Sequence, residues 1–239
     1  MLPWVRLGVA QAPGGGELVL SERAGEFVIR VDGRELMSSR VHGSETAMAE
    51  LGCAHLPRDR AAEVLVGGLG LGYTLRAALE HTGPHARVTV AELVPAVVEW
   101  NRGPLAHLAG RPLDDPRAAT VVADVGEVIA GAHRRFSAIL LDVDNGPAAL
   151  TRAQNQRLYG PRGLEAIARA LAPGGVVVVW SASDDAPFAE RLRRQAFSVD
   201  IEHVPARGPG RPGPKHTLFV ARPGHPSERQ RQGPKGREA

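Results

Sequence analysis

Three acidic residues, Glu92, Asp124 and Asp142, each follow a short apolar run, and a fourth, Asp144, stands just beyond the last of them. The runs are Arg87 to Ala91, Ala119 to Ala123 and Phe136 to Leu141. If they are parallel strands of an open α/β sheet, their carboxyl ends line one crevice, where such sheets bind ligands. At the end of the second strand of a nucleotide-binding unit, Glu92 can accept hydrogen bonds from both ribose hydroxyls of a nucleoside. Asp142 and Asp144 suit either a divalent cation or an organic cation, since carboxylate oxygens serve both. No histidine or further acidic cluster lies near them in sequence, which favours a cationic group such as a substrate amine. Carboxylates there would hold the ammonium and then help remove its proton, so that the lone pair can attack. The plainer alternative is that each acid only caps the helix that follows it.

The stretch from Glu63 to Gly72 positions these groups. It opens as a strand, Glu63 to Val66, and breaks into Gly67, Gly68, Gly70 and Gly72 before a helix-forming run from Tyr73 to Glu80. Glycines there let the backbone turn tightly and approach a ligand with no Cβ in the way. A glycine run alone is also compatible with a simple turn; Glu92 at the end of the next strand is what points to a nucleoside. The chain carries no Gly-x-Ser-x-Gly element, no P-loop lysine and no zinc-type cysteine cluster. Nicotinamide chemistry would want regular G-x-G-x-x-G spacing, and the last glycine here falls one residue early.

Around this unit, strands and helices alternate in a way that predicts a mostly parallel sheet with helices on both faces. Residues 1–16, ending in Pro13-Gly14-Gly15-Gly16, read as a flexible lead. Glu17 to Leu20 and Glu26 to Val31 read as a β-hairpin, with Asp32-Gly33 turning into Arg34 to Met37. Ser44 reads as the N-cap of a helix through Leu51. After Glu92, helices are expected over Val94 to Trp100, about Gly126 to Ala132, Leu164 to Leu171 and Ala186 to Gln195. Val176 to Trp180 is apolar on both faces and reads as a central strand. Ser198 to Val204 and His216 to Ala221 close the chain as strands. The domain reading is a lead and hairpin over 1–40, an α/β domain over 41–222 and a disordered basic tail over 223–239.

Composition narrows the function classes. A chain of 239 residues, 43% hydrophobic, suits one core. Of its 29 basic and 26 acidic residues, four and two lie in the tail, which leaves the rest nearly neutral. No aromatic-plus-basic pattern accompanies the charge, so nucleic acid is not an expected partner. The single cysteine, Cys53, fits a reducing cytoplasmic setting. No apolar run suggests a signal peptide or membrane span.

Taken in order and spacing, Val64 to Gly72, Glu92, Asp124-Val125, Phe136 to Pro147, Leu158-Tyr159 and Leu171 to Val178 resemble the spermidine/spermine synthase family. That family is a branch of the class I S-adenosylmethionine-dependent methyltransferase fold. The resemblance implies a Rossmann-like α/β domain with a seven-stranded, mostly parallel sheet behind a shortened N-terminal β-hairpin. It implies that Gly67, Gly68, Gly70 and Gly72 wrap the sulfonium nucleoside, that Glu92 takes the ribose, and that Asp124 and Val125 sit at the adenine. Asp142 matches the family's catalytic aspartate, Gly146-Pro147-Ala148 its active-site loop, and Tyr159 becomes a wall of the acceptor pocket. Asp144 is the second candidate for contacting the amine.

Departures from the family accompany the match. The glycine loop has Gly70 where the family's GGGDGG carries an aspartate that contacts the donor's aminopropyl amine. The family's Tyr-Gln pair is replaced in the region Gly43-Ser44-Glu45-Thr46-Ala47. The Asp-Ser-Ser-Asp-Pro loop is shortened to Asp142-Val143-Asp144-Asn145. Two donors therefore stand open, S-adenosylmethionine and its decarboxylated form, with methyl or aminopropyl transfer to a small-molecule acceptor. The expected assembly partner is a second copy in a homodimer, with no membrane and no metal. A non-catalytic nucleoside-binding module on the same scaffold is the reading from a different class.

Overall fold

The computed structural model describes residues 2–12, 15–143 and 157–224. It opens with a four-stranded antiparallel sheet in the order β1-β2-β3-β4: Val5–Gln11, Glu17–Arg23, Glu26–Val31 and Arg34–Ser38. The tight turns at Ala24-Gly25 and Asp32-Gly33 hold positive φ at both central residues. That geometry matches the right-handed twist of the flanking strands and fixes the hairpin registers.

The expected flexible lead is corrected in part: residues 5–11 are strand β1, paired with β2 from Val5 opposite Glu22 to Gln11 opposite Glu17. Val5, Leu7 and Val9 face outward and exposed, while Gly8 lies against the indole of Trp100. A strand whose inward side is made of small residues lacks the usual apolar signature.

The larger sheet has seven strands in the order β10-β11-β9-β8-β5-β6-β7. Its strands are β5 (Glu63–Gly67), β6 (Arg87–Glu92), β7 (Ala118–Val122), β8 (Phe136–Leu141), β9 (Leu171–Ser181), β10 (Phe197–Pro205) and β11 (Lys215–Pro223). The pairs β5–β6, β5–β8, β6–β7 and β8–β9 are parallel, and β11 runs antiparallel to both neighbours. The strand order reverses between β5 and β8, and ligands bind at such a switch point.

Both faces of this sheet are covered, and the two-residue period of each strand divides its side chains between them. Val64, Val66, Val176 and Val178 pack with residues of α1 (Gly43–Cys53), α2 (Tyr73–His81) and α3 (Pro95–Arg102). Leu65, Val177 and Val179 pack with residues of α4 (Val125–Ala130), α5 (Pro161–Ala170) and α6 (Ala186–Arg194). The four valines Val176 to Val179 are fully buried. Each contributes about 1.5–3 kcal/mol relative to an exposed position. Leu18, Leu20, Phe27 and Ile29 of the small sheet join the first of these clusters, so the two sheets share a core.

Helix α1 sits unusually close to its support. Gly43 and Gly52 have no side chain where the backbone of Gly208 and the side chain of Leu140 approach. The Gly43 N–H donates to the Ala206 carbonyl at 2.8 Å. The N-cap is His42, so the expectation that Ser44 caps this helix is also corrected. Ser44 lies inside the first turn, fully buried, with its hydroxyl between the adjacent Glu45 carboxylate and His216. Residues 225–239, most of the expected tail, lie outside the described residues.

Candidate functional site

Where β5, β6 and β8 end, a cavity of about 400 Å³ opens under the small sheet. That lies within the range of small-molecule sites. Its floor is the glycine loop. Gly68 holds φ +88° with the Asp142 carbonyl so close that a Cβ would come within 2.5 Å of it, and Gly70 holds φ +52° beside Met37. These positions need glycine or a residue tolerant of left-handed backbone. Asn101, buried on α3, braces the loop by donating from Nδ2 to the Gly70 and Val97 carbonyls, each at 2.9 Å.

Glu92 is almost wholly buried at the end of β6. Its Oε2 accepts from the Leu69 N–H at 2.9 Å and its Oε1 from the Val94 N–H at 2.8 Å. Each carboxylate oxygen has two acceptor positions. Two backbone donors therefore fix the group's orientation at the cavity. Asp124 follows β7, and its Oδ1 accepts from the Gly126 N–H at 2.7 Å. It is the N-cap of α4 and lines the cavity as well. Val125 lines the same wall. Asp142 follows β8, receives the Thr74 hydroxyl at 3.4 Å, and lines the cavity with Glu92 and Asp124. Three carboxylates from three strand ends thus converge next to the glycine loop.

The other expected site residues stand differently. Gly68 and Gly70 line the cavity; Gly67 ends β5 and Gly72 forms the N-cap of α2. Tyr159 is only 1% exposed and packs edge-on against Phe188 with ring centres 5.5 Å apart. It belongs to the core cluster beneath the sheet and is not among the cavity's described lining residues. Asp144 and the Gly146-Pro147-Ala148 loop lie outside the described residues.

The structure adds groups that strand-end reasoning misses. Glu45, in the first turn of α1, lines the cavity together with Tyr73, Trp180 and His216. Its Oε2 accepts from the Ser44 hydroxyl at 2.7 Å, and that hydroxyl lies 2.9 Å from His216 Nδ1. With the serine proton directed at the carboxylate, the serine oxygen accepts from an Nδ1-protonated imidazole. Burial holds His216 below the usual imidazole range, in keeping with that neutral form. Burial, and then the negative charge of Asp142, push the Glu45 carboxyl up to about 8. Burial and Glu45 together raise the Tyr73 phenol.

A carboxyl that titrates higher in the folded chain than its ordinary 4.5 makes the folded state bind more protons than the unfolded one. Stability should therefore fall as pH rises from 4.5 through about 8, since across that window the folded state holds a proton that the unfolded state has released. Glu45→Gln is expected to flatten this slope and to be the more stable form above pH 8. Urea unfolding at a series of pH values checks it.

Among the described residues no group of histidine, cysteine and acidic side chains could hold a metal ion. No helix there is long and apolar enough to cross a membrane.

A seven-stranded Rossmann-like sheet with a glycine loop and an acid at each of three strand ends defines an α/β domain of the class I methyltransferase type. Residues 43–204 match the Spermine/spermidine synthase domain, and the chain belongs to that family. A polyamine aminopropyltransferase of Mycobacterium tuberculosis is 32% identical over 197 residues, 79% of this chain and 36% of its own length. A putrescine N-methyltransferase of Nicotiana attenuata is 31% identical over 135 residues, 54% of this chain and 34% of its own. The solved spermidine synthase of Thermotoga maritima superposes with a TM-score of 0.70 at 21% identity, covering 93% of this chain and 75% of that one. The matched stretches span less than half the length of the curated aminopropyltransferases.

Proposed function

We propose that this chain transfers an aminopropyl group from decarboxylated S-adenosylmethionine to the amine of a small polyamine precursor. The observation that carries this reading is the charge of the cavity wall. Glu35, Glu45, Glu92, Asp124 and Asp142 line it, and no lysine or arginine stands among its described lining residues. Such a wall favours a donor whose side arm ends in an ammonium and disfavours one that also carries a carboxylate, because like charges in a partly desolvated site repel. Membership of the spermidine synthase family and the likeness to polyamine aminopropyltransferases support the same reaction.

In this reading Glu92, held by the Leu69 and Val94 amides, accepts the ribose hydroxyls. Gly68 and Gly70 let the backbone lie against the nucleoside, while Asp124 and Val125 border its base. Asp142 holds the acceptor's ammonium at the mouth of β8 and favours its approach along the line of the breaking bond. The nitrogen lone pair forms the new C–N bond as the C–S bond breaks, and the electron pair leaves on sulfur, giving a neutral thioether. The sulfonium is already a good leaving group, so the protein's main contributions are alignment and a desolvated nucleophile.

Methyl transfer from intact S-adenosylmethionine is the second reading. It is favoured by Gly70, which leaves the loop without the family's aspartate, and by the likeness to a putrescine N-methyltransferase. Calorimetric titration with the two donors side by side separates the readings. The decarboxylated donor is expected to bind at least about tenfold more tightly, a difference of about 1.4 kcal/mol. Release of methylthioadenosine on adding diamines would then follow. Preference for the intact donor would make the chain a methyltransferase, and binding of neither would leave a non-catalytic module.

A further inference from the structure

We propose that Glu45 is the second carboxylate of the amine site, and that it takes the proton the acceptor amine must lose. This rests on the transferase reading above and extends it to a residue from a different part of the fold. The site residues expected from strand ends all sit where β5 to β8 finish. Glu45 comes instead from the first turn of α1, where Gly43 is tied to Ala206 and packs against Gly208, so the helix start has little room to move. Ser44 and His216 then hold the Glu45 carboxylate through a hydroxyl and an imidazole. Beside them Trp180 stands edge-on to His216 at 4.7 Å, and its buried indole N–H has no hydrogen-bond partner among the described residues. Glu45, Trp180 and His216 all border the cavity that Asp142 borders.

A solvated helix-end acid needs none of this. Placing two carboxylates in one half-buried cavity is costly unless a cation joins them, and an amine supplies that cation. Glu45 also gives an acidic group to a cavity whose glycine loop, with Gly70, has none. The chemistry suits Glu45 to the role of base. A primary ammonium titrates near 10.4, about six powers of ten above an ordinary glutamate. With its carboxyl pushed up to about 8, Glu45 lies only between two and three powers of ten below it. As the amine binds, Glu45 gives up its own proton to solvent; the ammonium's proton then passes to the Glu45 carboxylate, the freed lone pair forms the C–N bond, the C–S electron pair departs on sulfur, and the new secondary nitrogen carries the positive charge the sulfonium lost.

The groups that bear on Glu45 are Asp142 after β8, the Tyr73 hydroxyl on α2, His216 on β11 through Ser44, and His42 at the start of α1, stacked on Tyr73 at 4.1 Å. At pH 7 the carboxyl is mostly protonated, and the amine arrives as an ammonium. Their complex holds one proton fewer than the separate partners, whichever of the two carries the shared one. Binding must therefore release a proton at pH 7 and cease to do so once pH passes about 8.

The test is calorimetry on the full chain saturated with methylthioadenosine, titrated with 1,4-diaminobutane in buffers of different ionisation enthalpy. The wild type is expected to release close to one proton per diamine at pH 7. Glu45→Gln should keep its methylthioadenosine affinity, bind the diamine about tenfold more weakly or better, and release none. Ser44→Ala removes the hydroxyl that lowers the Glu45 proton affinity. It should move the midpoint of proton release to higher pH, and it serves if Glu45→Gln does not fold. Equal release from wild type and Glu45→Gln, or an unmoved midpoint in Ser44→Ala, overturns the proposal. Diamine binding to the wild type without proton release also overturns it, yet leaves the transferase reading intact. No diamine binding at all removes the transferase reading itself.

Discussion

Asp142→Asn is expected to lower turnover by about a thousandfold, while affinity for the donor stays within about tenfold. The side chain borders the cavity, is steadied by Thr74, and follows the strand whose end faces the glycine loop. Asparagine keeps the shape but not the charge, so the ammonium loses its anchor and the nucleophile its alignment. A second readout separates this role from a structural one. Because the Asp142 charge helps to raise Glu45, its removal should bring the Glu45 titration down from about 8. Burial, the larger cause, should still hold it above the ordinary glutamate range. Carboxyl carbon chemical shifts measured against pH report this directly. Loss of donor affinity greater than the loss of turnover would move Asp142 from the acceptor side of the site to the donor side.

Glu92→Ala should remove nucleoside binding, by about a hundredfold or more, and destabilise the fold at the same time. On the proposed reading two hydroxyl contacts disappear, and the buried Leu69 and Val94 amides lose their acceptor. An unsatisfied buried donor costs about 1–3 kcal/mol. Glu92→Gln gives the control: one carbonyl oxygen remains to accept, so part of the stability returns while binding stays impaired. Calorimetry with methylthioadenosine and urea unfolding measured on both variants test the two halves separately. Undiminished nucleoside affinity in Glu92→Ala would strip the residue of its ligand role and leave it as a loop brace.

What the sequence makes legible here is whatever local pattern decides. Two-sided apolar strands such as Val176 to Val179, the glycine loop, and the acids after β6, β7 and β8 are visible because each strand ends where its apolar run ends. The β1 strand is hidden because its outward residues are apolar and its inward ones small, with Gly8 accommodating Trp100. The glycines after it then dominate the reading of the lead. Tyr159 carries no sign of which of two cavities, core or site, its ring will fill. Glu45 is the instructive miss. Beside Ser44 it looks like an acid favoured by the positive end of a helix. Only the packing of α1 on the sheet, through Gly43 and Gly52, brings it beside Asp142. A serine and an acid adjacent at a helix start, where the resembled family keeps a Tyr-Gln pair nearby, are the only trace of that arrangement in the chain.

On the proposed reading, a cavity lined by five acidic side chains, with no lysine or arginine among its described lining residues, holds what is positive and releases what has become neutral. For a sulfonium donor, breaking the C–S bond cancels the charge by which the wall holds it. The spent nucleoside is then kept only by its sugar and base, and product departure is tied to the chemical step itself. Affinity for the donor should accordingly weaken as ionic strength rises, while affinity for the thioether nucleoside should scarcely respond.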